Sequence, residues 1–431
     1  MVKILIISHF FPPLNRIGSL RPFSWAKYWS RMGHEICVLT TKKEFFDGNL
    51  NLKVNLDDLK KIKIKEVDYL PIQIFRGHKN QKKQKFEYNK SENLLYKVKN
   101  LIRALRKYIG SLFDIHDLWI FPAVHSALKI YKDWPYDVIV SSYGPQACHI
   151  IGGILKRILN VFWVADYRDL WYGNHYFPSK WPFSMIEKNI EFFFVKKADL
   201  ITVISDPLKE KLISRFGNKV VTIENGFDDE ELKNIENKEI FLKDGKIRLV
   251  YTGTIYPQKQ DPSPLFEAIN ILKNLGVEID KKVEVLFYGN NLGNLKELIE
   301  KYRVGNIVKT PGFVDRTASL HAQRSADALL FLEWEDSSID GILTGKLFEY
   351  MFAGKPVLGI GVNSNTASGK LIENCGIGIA LGRDSVRIAE ILKKLINGQK
   401  INYSPVQECL NKYTRKALAD KMLREIINRI E

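Results

Sequence analysis

Short, continuous apolar runs recur along this chain at spacings that leave room for a helix between them. Residues 3–8, 36–40, 137–142, 161–165 and 200–204 are five or six residues long and rich in Val and Ile. A strand that is apolar at every position, and not at alternate ones, is covered on both faces. That is the signature of a parallel strand in an α/β sheet. Helical patterns at 20–32 and 146–159 fill the gaps. The alternation predicts a doubly wound parallel sheet.

The pattern stops and restarts. Residues 228–246 (DDEELKNIENKEIFLKDGK) are charged and lack a strong apolar period, so they read as a linker. New apolar runs follow at 248–253, 283–288, 328–332, 356–360 and 376–380. We therefore expect two Rossmann-like α/β domains of similar size facing a cleft. An N-terminal domain covers 1–228, a linker 229–246 and a C-terminal domain 247–403. The last stretch, 404–431, carries a C-terminal helix, whose apolar period runs over 411–430. A chain of 431 residues, 45% apolar and 26% charged, has enough material for two cores.

Four cysteines (Cys37, Cys148, Cys375 and Cys409) show no paired spacing. A disulfide framework or cysteine zinc site is not expected, and a reducing compartment fits. No run reaches the roughly 18 apolar residues of a membrane span, and the apolar N-terminus leads into Pro12-Pro13. The expectation is a cytoplasmic protein.

Lys and Arg exceed Asp and Glu by 65 to 49, a net charge of +16. Much of this excess is local. Residues 76–107 hold eleven basic and two acidic side chains. Leu94, Val98, Leu101, Leu105, Tyr108 and Leu112 recur there at helical spacing. Two readings of 76–113 stand side by side. One is a surface helix packing one face on the core. The other is a basic amphipathic helix lying on an anionic membrane. Charge alone also permits nucleic-acid binding, but no nucleic-acid motif accompanies it, so no nucleic-acid partner is expected.

Three loops carry residues suited to anions. After the first strand come Arg16, Gly18 and Arg21, at the carboxyl end of a strand, where open α/β sheets bind ligands. In the second domain, Gly253 ends a strand and Lys259 follows it. In the run Leu343-Thr344-Gly345-Lys346-Leu347-Phe348-Glu349, Thr344 is placed to cap a helix. The free amides beyond it suit phosphate. Lys346 and Glu349 share one helix face, about 5 Å apart along the axis. A surface ion pair between them is the alternative.

Taken in order, HFFPP, Gly18, Arg21, RMGHEICVLT, ADLITVIS, VVTIENGFD, YTGTIYPQK and GKLFEYMFAGKPVLG resemble glycosyltransferase family 4. The resemblance runs from residue 3 to about 380, apart from the basic segment. It implies the GT-B fold and retaining, metal-independent transfer of a hexosyl or N-acetylhexosaminyl group from a UDP- or GDP-sugar. It implies no cofactor, the nucleotide-sugar being a substrate. Gly253, Gly289, Phe313, Thr344, Gly345, Lys346, Leu347 and Glu349 are implied to bind the donor. Lys259 and Lys346 would stabilise the leaving diphosphate, and Glu349 would hold the ribose. The departing phosphate itself helps to take the acceptor proton in this family, and no DxD motif is present to hold a metal.

The sequence departs from the family in three places. Gly341 stands where a glutamate eight positions before Glu349 is common. Thr254 replaces an arginine. Arg168 falls where many members have histidine, within Asp166-Tyr167-Arg168-Asp169-Leu170-Trp171. Together with TGKLFEY, the segment ADYRDLW marks a subgroup. Asp166, Arg168 and Asp169 are candidates to orient or deprotonate the acceptor hydroxyl, or else form a structural charge cluster. The aromatics of LWYGNHYFPSKW either stack on a sugar or lipid head group or simply pack. The histidines show no ligand spacing. With the basic segment, the resemblance leads us to expect an enzyme of polysaccharide or glycolipid assembly. It would be peripheral on the inner face of the membrane, with a saccharide or lipid-linked acceptor. A GT-B protein that binds nucleotide-sugar without transferring it, and a nucleic-acid-binding protein, are the alternatives.

Overall fold

The computed structural model describes residues 1–43, 47–70, 105, 108–175, 178–233, 238–334, 343–401 and 403–430. The chain divides into two compact units, Met1–Ile223 with Ala419–Glu431, and Glu224–Leu418.

The first unit holds β1 (Lys3–Ile7), β2 (Glu35–Thr41), β3 (Lys63–Val67), β4 (Val138–Ser142), β5 (Phe162–Tyr167), β6 (Leu200–Val203) and β7 (Val220–Thr222). They form one sheet in the order β3-β2-β1-β4-β5-β6-β7, with every pair parallel. The second unit holds β8 (Ile247–Thr252), β9 (Val283–Tyr288), β10 (Val308–Gly312), β11 (Ala328–Leu332), β12 (Val357–Ile360) and β13 (Gly378–Gly382). Their order, β10-β9-β8-β11-β12-β13, again with all pairs parallel, repeats that of the first unit. In each sheet the winding reverses beside the first strand, between β1 and β4 or between β8 and β11. The loops leaving those strands diverge there and open a crevice at their carboxyl ends.

The central strands are buried as their composition requires. Ile4, Leu5, Ile6 and Ile7 of β1 are fully buried, as are Val138, Ile139 and Val140 of β4 and Leu249, Val250 and Tyr251 of β8. Each unit has its own core: Leu5, Ile139, Ala165 and Ile201 lie in one, and Leu249, Val285, Leu330 and Leu358 in another.

Four sequence expectations need adjustment. Three strands were not anticipated: β3, β7 and β10. The unit boundary falls at 223/224, ahead of the expected linker. Part of that linker is helical (Asp229–Lys233), and further on Ile240 N donates to Ser325 Oγ within the second unit. The expected helix over 411–430 is two helices, Gln407–Lys412 and Arg415–Ile430. Thr414 breaks them, because its Oγ1 accepts from Ala417 N at 3.2 Å and so caps a new helix. Finally, Cys375 and Cys409 are joined by a disulfide. Cys375 ends the helix Ala367–Asn374 between β12 and β13, and Cys409 lies in helix Gln407–Lys412, which Val406 N brings alongside by bonding Cys375 O at 3.0 Å. Cys37 and Cys148 stay buried and unbonded.

The stretch expected to form the basic helix lies mostly outside the described residues. No helix among the described residues is long and apolar enough to cross a membrane.

Candidate functional site

In the second unit, the loops after β8, β9 and β11 and one helix start converge. Helix Gly345–Ala353 begins at Thr344, whose backbone is extended (φ −70°, ψ 145°). Tyr350 on this helix accepts a hydrogen bond from Thr252 N at 3.1 Å through its hydroxyl, which fixes the helix against the end of β8. Gln323 donates to Thr252 Oγ1 at 3.0 Å from a neighbouring helix, Arg316–Ser325. The expected cap differs in detail. Thr344 makes no side-chain capping bond, and its Oγ1 is buried with no partner among the described residues. A buried hydroxyl left unbonded at a helix N-terminus points to a ligand.

Lys346, in the first turn, is half-buried. Its ammonium lies 3.6 Å from the centre of the Tyr251 ring. A Cβ on Gly253 would sit 3.2 Å from Lys346 Nζ, and Gly253 has φ +119°, so glycine is favoured there twice over. Burial pulls the Lys346 ammonium down to about 7, only partly offset by Glu349. Among the described residues no carboxylate lies within ion-pair distance of it. Gly289 comes equally close to Gly253, since a Cβ there would lie 2.2 Å from Gly253 O. Gly289 N donates to Gly312 O at 2.9 Å, and the next residue, Phe313, is half exposed.

Lys259 follows β8, and its Nζ stands 4.8 Å over the Trp334 ring at the end of β11. Gln260 holds that loop in place by donating to Leu332 O at 2.8 Å. Lys259 and Lys346 thus flank the β8/β11 switch point. Gly345 opens the helix. Leu347 is fully buried in the core, and its amide is taken by Thr344 O at 3.1 Å.

Glu349 does not pair with Lys346. Its Oε1 accepts from Arg316 Nη1 at 2.6 Å, and Arg316 also binds Glu231 Oε2 at 3.0 Å. Arg316 holds the glutamate by Oε1, and no bond to Oε2 is seen among the described residues. Neither Arg316 nor Trp334 was singled out in sequence, although Trp334 lies just two positions past the apolar run of β11. Gly341 lies outside the described residues.

In the first unit, Arg21 and Asp166 bind each other. Arg21 Nη2 donates to Asp166 Oδ1 at 2.7 Å and to Ile223 O at 2.8 Å. Asp166 also accepts from Ser142 Oγ at 3.0 Å and Thr202 Oγ1 at 2.8 Å. A fully buried carboxylate so saturated ties β4, β5, β6 and helix Ile17–Arg31 together. Of the alternatives for Asp166, Arg168 and Asp169, Asp166 takes the structural one, and Arg21, expected to meet an anion, is its buried partner. Asp169 differs: half-buried, it has no ion pair among the described residues.

Arg168 occupies the β1/β4 switch point. Its guanidinium lies 4.6 Å over the Phe10 ring, and Nη2 donates to Tyr143 O at 3.2 Å. A Cβ on Gly18 would fall 1.4 Å from Nη1, so Gly18 makes room for this arginine. Nε is buried without a partner among the described residues. Arg16 is exposed at the N-terminus of the same helix and packs over Gly48. Arg16, Arg168 and Lys43, whose Nζ donates to His9 O at 2.6 Å, are cations at this loop, with Arg21 withdrawn into the core.

The aromatics of 170–181 divide. Trp171 is buried and Trp181 is 77% exposed. Trp181 leads into helix Phe183–Val195, which is polar on the wrong side. Glu187, Glu191 and Val195 face inward, while Met185, Ile186, Phe192 and Phe193 are exposed.

Residues 23–231 match the model of the family described as Glycosyltransferase Family 4. No curated protein matches the chain in sequence. Among solved structures, sucrose-phosphate synthase from Thermosynechococcus elongatus is similar at a TM-score of 0.62 and 13% identity, with 99% of each chain covered. The N-terminal domain of Candida albicans trehalose-6-phosphate phosphatase gives a TM-score of 0.60 at 13% identity, over 100% of this chain and 97% of that one. The apo lipopolysaccharide outer core galactosyltransferase WaaB gives 0.57 at 11% identity, over 99% of each chain. Likeness at such identities is one of fold. This chain has the GT-B fold of two Rossmann-like units, and its residues 23–231 carry the match to glycosyltransferase family 4.

Proposed function

We propose that this protein is a retaining glycosyltransferase of family 4. In this reading it moves a hexosyl or N-acetylhexosaminyl group from a UDP- or GDP-sugar to a saccharide acceptor. The observation that carries the reading is the Lys346 ammonium in the first turn of a helix that opens with the unbonded Thr344 hydroxyl, with no carboxylate paired to it among the described residues. A dianionic diphosphate supplies what that corner lacks: charge for Lys346 and acceptors for Thr344 and the first-turn amides. Glu349 Oε2, one helical turn further in, takes a ribose hydroxyl. Gly253 and Gly289 keep the backbone low enough for the donor to approach.

As the glycosidic bond breaks, negative charge grows on the diphosphate. Lys346 and Lys259 stabilise the transition state more than the ground state. The acceptor hydroxyl loses its proton to the departing phosphate, and Asp169 is the first unit's candidate to orient an acceptor. Arg168 and Arg16 offer charge to a phosphate at the β1 loop. The diphosphate charge is met by lysines and amides, so the transfer runs without a metal on the donor.

The acceptor is lipid-linked in this reading, and the enzyme works at the inner face of a membrane in polysaccharide or glycolipid assembly. The outward aromatics of helix Phe183–Val195, with Lys188, Lys196 and Lys197 among them, support it. So does the charge of segment 76–113.

A calorimetric screen of UDP, GDP and their sugars against the wild type and Lys346→Ala tests the proposal. One nucleotide family should bind the wild type, and Lys346→Ala should lose most of that binding and of turnover. If no nucleotide binds, or the variant binds and turns over as the wild type does, the reading fails.

A further inference from the structure

Three acceptor atoms converge in the first unit from distant parts of the chain. His9 follows β1, Asp47 lies beyond β2, and His116 sits in the 3-10 helix Ile115–Trp119. One donor atom from each lies within 4.8 Å of the other two. His9 is 2% exposed and Asp47 8%. Asp47 Oδ1 is 3.3 Å from His116 Nε2 and 3.7 Å from His9 Nε2. The two imidazole rings are 4.2 Å apart at their centres.

The far side of each ring is already committed. His9 Nδ1 lies 2.8 Å from Thr41 Oγ1. Lys43 Nζ donates to the same oxygen at 3.1 Å, and that oxygen retains a second lone pair for His9 Nδ1–H. His116 Nδ1 bonds Asp114 Oδ1, and a carboxylate can only accept. Asp114 fixes a proton on His116 Nδ1, and at His9 the Nδ1–H tautomer, with Thr41 accepting, is the one that turns Nε2 to a ligand. Two imidazole nitrogens and a carboxylate oxygen gathered this closely are a donor set that a divalent ion takes.

We propose that His9 Nε2, His116 Nε2 and Asp47 Oδ1 bind one zinc-class divalent ion. Zinc bonds nitrogen and carboxylate oxygen at about 2.0–2.2 Å in a tetrahedron, whose edges are then roughly 3.3–3.5 Å. Two of the three donor separations, 3.3 and 3.7 Å, need little adjustment, and the third, between the two nitrogens, is within 4.8 Å and closes on binding. Imidazole donors select zinc over magnesium or calcium, which take oxygen. Asp114 behind His116 and Thr41 behind His9 are the outer-shell partners that fix ligand tautomers at such sites. The fourth corner is left to water.

The ion pins the loop after β1. Phe10, adjacent to His9, lies beneath the Arg168 guanidinium, and Gly48, adjacent to Asp47, lies beneath Arg16. Both arginines of that loop thus rest on residues next to a ligand. The site lies in the first unit and is independent of the nucleotide reading, which rests on the second.

The full chain, stripped with a chelator, is titrated with Co2+ as a spectroscopic probe and with Zn2+ by competition against a chromophoric chelator. The wild type should bind one ion per chain, show the intense visible absorption of tetrahedral Co2+, and lose it on adding Zn2+. His9→Gln, His116→Gln and Asp47→Asn should each abolish the band. Asp114→Asn should weaken binding about 10–100-fold. His125→Gln, at an exposed histidine, should change nothing. Where a ligand variant does not fold, Asp114→Asn, which keeps every ligand, decides between the outcomes. A wild type that takes up no ion would overturn the proposal. Binding that survives both histidine substitutions would overturn it equally.

Discussion

Lys346 Nζ stands 3.6 Å from the centre of the Tyr251 ring, with no acid paired to it among the described residues. Burial brings its ammonium down to about 7, so in the free protein it is largely neutral at pH 8.5 and charged at pH 6. A bound diphosphate favours the charged form and pulls that value back up. Nucleotide binding at pH 8.5 should therefore take up close to one proton, and at pH 6 almost none. Calorimetry in two buffers of different ionisation enthalpy measures the uptake directly. Affinity should decline as pH rises above 7. Lys346→Arg, charged throughout, should bind without proton uptake. Equal uptake at both pH values would remove Lys346 from the phosphate site.

Glu349→Ala should weaken nucleotide-sugar binding by about 1.5–3 kcal/mol, the value of a hydrogen bond to a charged acceptor. That is roughly tenfold to a hundredfold. The fold should survive, because Arg316 keeps Glu231 as a partner. Thermal unfolding and donor titration on the same sample separate the two effects. Wild-type affinity in the variant would show that Glu349 serves Arg316 alone.

What the sequence made legible follows from burial. The central strands are covered on both faces and announce themselves as unbroken apolar runs. The three strands that went unseen are edge strands: β3 and β7 bound the first sheet, and β10 bounds one side of the second. β3 reads KIKEV, four of its residues are exposed, and β10 contains Pro311. Edge strands tolerate charge and proline because one side needs no partner. The site was legible where chemistry is local, as in Thr344-Gly345-Lys346. It was not legible where partners meet across the sheet. Nothing near Arg21 in sequence announces Asp166, 145 positions away. Nothing near His9 announces His116. Only the parallel order, which stacks strand ends side by side, brings them together.

Glu187 gives a stability prediction. It is fully buried, accepts from Ser111 N at 2.9 Å and from Ser179 Oγ, and burial pushes its carboxyl up to about 7. A carboxyl raised in the fold keeps its proton while the unfolded chain has lost it. Its contribution therefore falls as pH climbs from about 4.5 to about 7 and is level beyond. Glu187→Gln should remove that slope and be more stable than the wild type by about 1–2 kcal/mol at pH 8, with little difference near pH 4. Denaturant midpoints across this range provide the comparison. A slope unchanged in the variant would assign the pH dependence to other groups.

The last prediction concerns the inverted helix Phe183–Val195. A helix on a water-facing surface hides its apolar stripe, yet this one buries Glu187 and Glu191 and exposes Met185, Ile186, Phe192 and Phe193. Trp181, 77% exposed, extends the patch by one turn. Lys196 Nζ lies 5.4 Å from the Phe192 ring centre and Lys180 Nζ 5.4 Å from that of Tyr108, and Lys188 and Lys197 are near in sequence. Aromatic side chains beside lysines suit an anionic lipid interface, where each lysine near the surface adds up to about 1 kcal/mol and apolar insertion adds the rest. Tyr108 O accepts from Lys180 N at 2.8 Å, so the end of the basic 76–113 segment adjoins the same patch. The wild type should sediment with vesicles of anionic lipid, less so in high salt, and not with neutral vesicles. Phe192→Ser/Phe193→Ser should reduce that association at least tenfold without affecting nucleotide binding, because neither residue belongs to the second unit. Neutralising the basic residues of 76–107 should steepen the loss. If the double variant sediments like the wild type, the exposed aromatics serve another partner. If the wild type ignores anionic vesicles at low salt, the membrane reading of both segments fails.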